Sequence, residues 1–341
     1  MAQAYRTEPD SDGHEHGRPE SRLRSFARRL RTHRGPWRRG LVLAALAILL
    51  ALVMVGHARI PNSVGSLGSL GETFLPWLGL ALPVLLVAGL VRRSATALIA
   101  LLVPAVVWLN LFGGLVTDKS ATGGDLTVAT HNVNADNPDP AATARDLAAS
   151  GADVVALEEL SPEAVPAFRE ALAATYLHHA VEGTVGLWSK YPLSATAPVD
   201  IKLGWTRALR STVDTPSGPL AVYVAHLPSV RVKVDAGFTA GQRDSSAEAL
   251  GLAIREEKLN RVVLLGDLNG TMNDRALSPV TSQMRSTQGA AGNGFGFSWP
   301  ASFPMARIDQ IMVQGVEPVS SWTLPRTASD HLPIAARISF G

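Results

Sequence analysis

Arg261-Val-Val-Leu-Leu-Gly-Asp-Leu-Asn-Gly-Thr-Met-Asn-Asp274 joins a short apolar run to a polar, glycine-flanked loop. The run from Val262 to Leu265 is β-branched or leucine throughout and ends at Gly266, which reads as a strand buried in a core. Asp267 stands where that strand stops. Asn269 follows two residues later, so in extended backbone the two side chains project to the same side. A carboxylate beside a carboxamide can hold a water and a phosphoryl oxygen together. An Asp at a strand end also serves as a turn or cap residue, so the chemical reading has to draw on other stretches.

The same construction recurs. Leu126 to His131 alternates like a strand and leads into Asn132-Val-Asn134, again two polar side chains two residues apart. Asp153-Val-Val-Ala-Leu-Glu-Glu-Leu160 is a third apolar strand ending in acid, and Glu159 is a candidate metal ligand because oxygen donors suit Mg²⁺. Ala221-Val-Tyr-Val-Ala-His226 delivers a histidine at a strand end, Arg307-Ile-Asp-Gln-Ile-Met-Val313 sets Asp309 in an apolar strand, and Ser329-Asp-His-Leu-Pro333 supplies Asp330 and His331. Each has an ordinary structural explanation when read alone, as a strand-end histidine or a buried acid with a backbone partner.

Composition sets the frame. The 341 residues are 46% apolar and contain no cysteine, which gives room for a sizeable core and excludes disulfides, thiolate metal sites and a thiol nucleophile. The pI of about 9.1 is unevenly carried. Residues 1–40 hold 10 Arg against 5 acids, residues 41–124 hold 4 basic and 2 acidic side chains, and residues 125–341 hold 17 basic and 22 acidic ones. The basicity belongs to the N-terminal tail, and the net −5 of residues 125–341 argues against a nucleic-acid partner.

The tail, residues 1–40, is polar and without apolar period, as expected of a disordered cytoplasmic segment. Three apolar segments follow at about 41–57, 73–91 and 95–115, each near the ~20 residues that cross a ~30 Å hydrocarbon layer. Arginines crowd the tail and recur at Arg92 and Arg93, while only Arg59 lies between the first two segments. By the positive-inside rule both clusters are cytoplasmic, and three spans carry everything after about 116 to the extracytoplasmic face of the plasma membrane. Residues 116–124 read as a short tether to the bilayer, and 125–341 as an α/β domain.

Within that domain strands are expected near 126–132, 153–157, 184–188, 207–213, 219–225, 261–266, 308–313 and 333–339, and helices near 140–149, 163–175 and 239–258, the first opened by Pro140. Residues 281–298 read as a long surface loop. The aromatic run from Gly294 to Pro304 suits either contact with an acyl or prenyl chain or core packing, and Arg231, Lys233 and Arg243 are candidates to meet a second phosphate.

Taken together, His-Asn-Val-Asn, Asp-Val-Val-Ala-Leu-Glu-Glu, the run Val185-Gly-Leu-Trp-Ser-Lys-Tyr-Pro192, Ala-His-Leu-Pro, Gly-Asp-Leu-Asn, Arg-Ile-Asp-Gln and Ser-Asp-His-Leu-Pro occur in an order that resembles the endonuclease/exonuclease/phosphatase superfamily over 125–341. The resemblance implies a four-layer αββα sandwich, here preceded by three transmembrane helices, and a divalent metal, Mg²⁺ or Mn²⁺. It implies Glu159 as metal ligand with Asn132 in support, Asp267 orienting or deprotonating the attacking water, and Asn269 holding a phosphoryl oxygen. Asp309 would orient His331 at the scissile phosphate, Asp330 would complete the metal or histidine network, and His226 would be a second phosphate contact or the acid at the leaving oxygen. Two departures stand out: His131 takes a place that commonly holds Trp or Tyr, and Glu158 one that commonly holds Gln, adding negative charge beside the metal position.

With the spans in front, the plan resembles that of membrane-bound teicoplanin-resistance proteins. That likeness implies a lipid-linked phosphate substrate at the bilayer, a polyprenyl pyrophosphate carrier. A phosphodiesterase or nuclease of the same superfamily is the enzymatic alternative, and a non-catalytic glycopeptide-binding or sensor module the other.

Overall fold

The structure, a computed structural model, describes residue 35 and residues 39–62, 67–229 and 237–341, the side chains of 237–240 excepted. Most of the N-terminal tail, and Arg231 and Lys233, lie outside those residues.

Two six-stranded sheets make the centre. In the first, β1 (Leu126–Asn132) pairs in parallel with β2 (Val154–Glu158) and antiparallel with β12 (Ile334–Ser339). β11 (Glu317–Thr323), β4 (Val185–Ser189) and β3 (His178–Glu182) complete the order β11-β12-β1-β2-β4-β3. The second repeats the plan. β8 (Val262–Asp267) pairs in parallel with β7 (Gly218–Ala225) and antiparallel with β10 (Asp309–Gln314), flanked by β5 (Leu193–Pro198), β6 (Ala208–Thr215) and β9 (Arg285–Ser286). Parallel neighbours require a crossover. Helix α5 (Pro140–Ala149) supplies it between β1 and β2, and α7 (Gly237–Arg255) between β7 and β8.

The apolar runs are continuous because both faces of each sheet are covered. Val128, Val154, Leu187, Val224, Val263, Leu265 and Ile311 meet between the sheets. Outside the first sheet, Ala144 and Leu147 of α5 and Phe168 and Leu172 of α6 (Val165–Leu172) pack on Val155, Leu157 and Trp188. Outside the second, Ala247, Leu250 and Ile254 of α7 cover Tyr223, Leu264 and Met312. The result is the expected αββα sandwich. Asp139 caps α5, its side chain accepting from Ala142 N.

The expected strands match within a residue or two, and β3, β5, β9 and β11 are additional. Residues 281–298 are not a surface loop. They contain the buried side chains of Thr287, Gln288 and Ser298 and the short helix Thr287–Ala291, because Thr287 Oγ1 donates to Ile311 O at 3.1 Å and lies 3.2 Å from Ser321 Oγ.

Ahead of the sandwich stand α1 (Leu41–Gly56), α2 (Leu67–Thr73), α3 (Ala81–Val91) and α4 (Ala95–Phe112). With their 3₁₀ extensions, Leu41–Arg59 and Ala95–Leu115 are long and apolar enough to cross a membrane, and Leu67–Thr73 with Leu75–Val91 would be a third crossing bent by 63°. At one end of this bundle Ser94 Oγ donates to Arg39 O. The other end meets the sandwich: Arg275 Nη1 donates to Ala58 O, and Trp77 Nε1 to Met305 O at 2.8 Å. Phe297 stacks on Trp77 with centroids 5.7 Å apart, and Phe295 tilts against Trp108 and Phe112. Part of the Gly294–Pro304 run is thus an interface between bundle and sandwich. The tether is not free either, since Ala121 N donates to Val319 O at 2.8 Å.

Candidate active site

Strand pairing brings the chemistry to one edge. Asp267 ends β8 and Asp309 begins β10, and the two are direct partners in the antiparallel register. Asn132 ends β1 beside Glu158 of β2, with Glu159 one residue beyond. The approach of these ends depends on Gly266. At φ 149 a β-carbon there would lie 1.9 Å from the carbonyl oxygen of Ala225, so only glycine fits. Glu159 at φ 59 and Asn269 at φ 49 hold left-handed backbone, a costly conformation for glutamate that concentrates at functional positions.

Asp267 is the hub. Asn132 Nδ2 donates to its Oδ2 at 3.0 Å, and Asn269 N donates to Oδ1 at 2.9 Å. Asn269 Nδ2 is engaged by Leu227 O at 2.8 Å and by Asp267 Oδ2 at 3.2 Å, so in this arrangement the carboxamide orients the carboxylate. His226 Nε2 lies 3.5 Å from Glu159 Oε1 and 3.6 Å from Asp267 Oδ2, so both acids converge on one nitrogen. His331 Nε2 is 3.9 Å from Asp267 Oδ2, and its Nδ1 is 2.9 Å from Asp309 Oδ2. Ser298 Oγ donates to Asp309 Oδ2 at 2.5 Å, fixing the acid that holds the histidine. Ser329 Oγ donates to Asn132 O at 2.7 Å, tying the His331 turn to β1.

Burial decides the charges. It pushes Asp267 up, and the neighbouring Asp309 pushes further, to about 7. For His331 burial alone would depress the imidazole, but the Asp309 carboxylate and its hydrogen bond outweigh that and raise it to about 10. Burial, then the Arg207 cation, hold His226 well below its ordinary range, so it is a neutral imidazole with one N–H to offer and no imidazolium proton. Glu158 does not add the charge expected of it. It is fully buried, Thr130 Oγ1 donates to its Oε1 at 2.7 Å, and burial raises its pKa well above the carboxylate range. A protonated glutamic acid has nearly the shape of the glutamine common at that position. His131 is likewise buried and neutral, pushed down to about 3, with Nε2 2.8 Å from Thr327 Oγ1.

These groups line a cleft of about 800 Å³. Glu159, His226, Asp267, Asn269, Asp330 and His331 face it, Asp330 from an exposed position. Arg207 is a cleft residue that the sequence reading above does not single out. It lies in the cleft wall 5.0 Å above the Trp205 ring and donates through Nη2 to His226. Its only sequence signal is a cation just before β6. Arg243 does not reach a phosphate: it is fully buried, its Nη1 on Asp274 Oδ2 at 2.8 Å and Asn269 O at 2.9 Å.

The model of the endonuclease/exonuclease/phosphatase family matches residues 129–331. The chain belongs to that family. No curated protein matches it. Among solved structures, it is similar to the Bacteroides thetaiotaomicron mannosyl-6-phosphatase (TM-score 0.53, 16% identity, 63% of this chain and 100% of that one). It is similar to Staphylococcus aureus beta toxin (0.52, 15%, 62% and 99%) and to D. rerio TDP2 with a single-strand DNA product (0.53, 19%, 63% and 98%). At these identities the likeness is one of fold.

Enzymes of this family are phosphoesterase hydrolases that generally use divalent metals, and the residues here fit such an ion. Asp267, Asp309 and His331 have ligand atoms within 4.8 Å of one another, but Asp309 and His331 are occupied with each other. Asp267 and Glu159 carry the oxygen donors a hard cation prefers, while Asn132 supports Asp267 through Nδ2 and its Oδ1 accepts from Asn134 N at 3.0 Å. A buried carboxylate raised to about 7, with its nearest ring nitrogen 3.6 Å away, is the group whose charge a bound cation would stabilise.

Proposed function

We propose that this chain is a membrane-anchored, metal-dependent phosphohydrolase that cleaves a polyprenyl pyrophosphate, such as the undecaprenyl carrier, on the outer face of the membrane. The observation that carries the hydrolase is the Asp309–His331 pair directed at Asp267 within one cleft. When bound, Mg²⁺ or Mn²⁺ supplies neutralisation of charge on the phosphoryl group. Asp267 takes a proton from water as the water oxygen adds to phosphorus. The anhydride P–O bond breaks on the opposite side, giving polyprenyl phosphate and inorganic phosphate. His331, held protonated by Asp309, presents Nε2–H to a phosphoryl oxygen. Arg207 and the His226 N–H face the same space, so preorganised donors meet the developing charge. Asp330, at the cleft rim, steadies the His331 charge.

The lipid part of the reading is supported by the apolar helices packed on the sandwich and by the net −5 of residues 125–341, which disfavours DNA. A substrate confined to the same bilayer gains effective concentration that a soluble ester does not. The order of tail, spans and sandwich also resembles VanJ, the membrane-bound teicoplanin-resistance protein, which supports a contribution to glycopeptide resistance.

The test is phosphate release by the purified full-length protein in detergent from undecaprenyl pyrophosphate, a water-soluble pyrophosphate and DNA. Preference for the lipid, loss with EDTA and return with Mg²⁺ are expected, as is a drop of orders of magnitude in Asp267→Ala and His331→Ala. Equal rates on the soluble compound would defeat the lipid substrate, and metal-independent turnover the mechanism.

A further inference from the structure

One wall of the catalytic cleft comes from outside the family domain. The family match begins at residue 129, yet Leu70, Thr73 and Phe74, from the bend between α2 and the next helical segment, line the same cleft as Asp267 and His331. Their segment is fastened in place. Ser69 N donates to Asn62 Oδ1 at 2.8 Å, the buried Arg243 donates through Nη2 to Ser69 Oγ at 2.9 Å, and Thr271 Oγ1 donates to Glu72 O at 3.3 Å. Arg243 also holds Asn269 O and Thr271 lies in the loop after β8, so the wall is pinned to the loop that carries Asp267 and Asn269.

We infer that Leu70 and Phe74, with Trp299 and Ile308 across the cleft, form a subsite for the hydrocarbon next to the scissile phosphate, the first carbons of the lipid chain. The inference rests on the phosphohydrolase reading above. A ligand with its phosphorus at Asp267 and His331 must lay its substituent along the cleft. A sugar would call for hydrogen-bonding side chains, whereas the added wall offers a leucine, a phenylalanine and a single hydroxyl. Beyond the bend the apolar surface continues: Leu67 and Leu80, at its two ends, are 48% and 61% exposed. A chain leaving the cleft on that side would have these two leucines to lie against.

The experiment is a chain-length ladder. Full-length protein in detergent is given dimethylallyl, geranyl and farnesyl pyrophosphates, and kcat/KM is compared for the original sequence, Phe74→Ala, Leu70→Gln and the conservative Phe74→Leu. The original protein should climb the ladder. In Phe74→Ala and Leu70→Gln the farnesyl-to-dimethylallyl ratio should fall about tenfold, mainly through KM, with Phe74→Leu recovering most of it. A ladder unchanged in the variants, or equal losses at every length, overturns the subsite while leaving the hydrolase standing. Absence of turnover on every pyrophosphate by the original protein overturns both.

Discussion

Asp309 Oδ2 lies 2.9 Å from His331 Nδ1 and receives the Ser298 hydroxyl at 2.5 Å, so the acid that aims the histidine is itself aimed. Both acid and imidazole are buried, and the pair fixes which ring nitrogen faces Asp267.

Replacing that acid separates orientation from packing. Asp309→Asn keeps the volume but puts an amide where only an acceptor suits both Ser298 Oγ and His331 Nδ1–H. Turnover should fall by about 10²–10⁴-fold, the usual scale of a misplaced proton-transfer group. Circular dichroism and the melting temperature should change little by comparison. Near-normal turnover in Asp309→Asn would remove His331 from the reaction.

The charges predict a pH profile. Asp267 must be ionised to take a proton and His331 must keep its own, so kcat/KM should rise on the acid side and decline near 10, with the acid limb, set near 7 for Asp267 without a cation, moving to lower pH as Mg²⁺ is raised. Stability moves with the same groups. Asp267 has a raised folded pKa, so the folded state binds the extra proton between the ordinary carboxylate value and about 7, and stability falls as pH rises through that window. The raised His331 acts in the same sense, in a window at higher pH. Its contribution is complete below the ordinary imidazole value and is lost as pH rises through about 10. Mg²⁺ or Mn²⁺ should therefore raise the melting temperature more at pH 8 than at pH 5, where protonated Asp267 competes with the ion. An equal shift at both pH values would place the ion elsewhere.

Arg243 and Asp274 are both fully buried and 2.8 Å apart, and the same guanidinium holds Asn269 O and Ser69 Oγ. Arg243→Met leaves Asp274 without its cation and should cost about 3–5 kcal/mol, the scale for breaking one side of a buried pair. The double change Arg243→Met with Asp274→Leu should regain part of that loss, which a double-mutant cycle by thermal unfolding would measure. Additive losses would show the pair to be uncoupled.

How much of this was legible beforehand follows from where the information lies. The strand ends of the candidate site were readable because each is local, an apolar run followed by one polar residue, as in Val262 to Asp267. The site residues the structure adds are non-local. Arg207 matters because its backbone oxygen receives His226 N at 2.9 Å and its side chain then crosses to that ring. β3, β5 and β11 are half-exposed edge or near-edge strands whose polar faces blur the period, and only their partners define them. Thr287 and Ser298 looked like loop residues because their partners, Ser321 and Asp309, lie on the strands β11 and β10. Nothing in Leu70 or Phe74 marks a cleft wall. Their role comes from a 63° bend that packs an apolar segment on an enzyme domain.

The bundle geometry makes a prediction about sidedness. Arg39 O accepts from Ser94 Oγ, which follows directly on Arg92 and Arg93, so the end of the arginine-rich tail and the second basic cluster share one end of the bundle. Ala58, Trp77 and the stretch after Leu115 all meet the sandwich at the other end, through Arg275, Met305 and Val319. Through the bundle the chain runs to the sandwich end along α1, back through Leu75–Val91, and to the sandwich end again along α4, the path that three crossings would take. Were the bent pair re-entrant, two passes would return the chain to the side of its tail, and Arg92 and Arg93 would sit with Ala58 at the end away from Arg39, against the Ser94–Arg39 contact. Basic residues flanking short loops are retained in the cytoplasm. Fusions after Thr117 should thus be active with reporters that work outside the cytoplasm, and fusions after Arg93 with cytoplasmic ones. A cytoplasmic signal after Thr117 would reverse the orientation and with it the access of the cleft to any carrier on the outer leaflet.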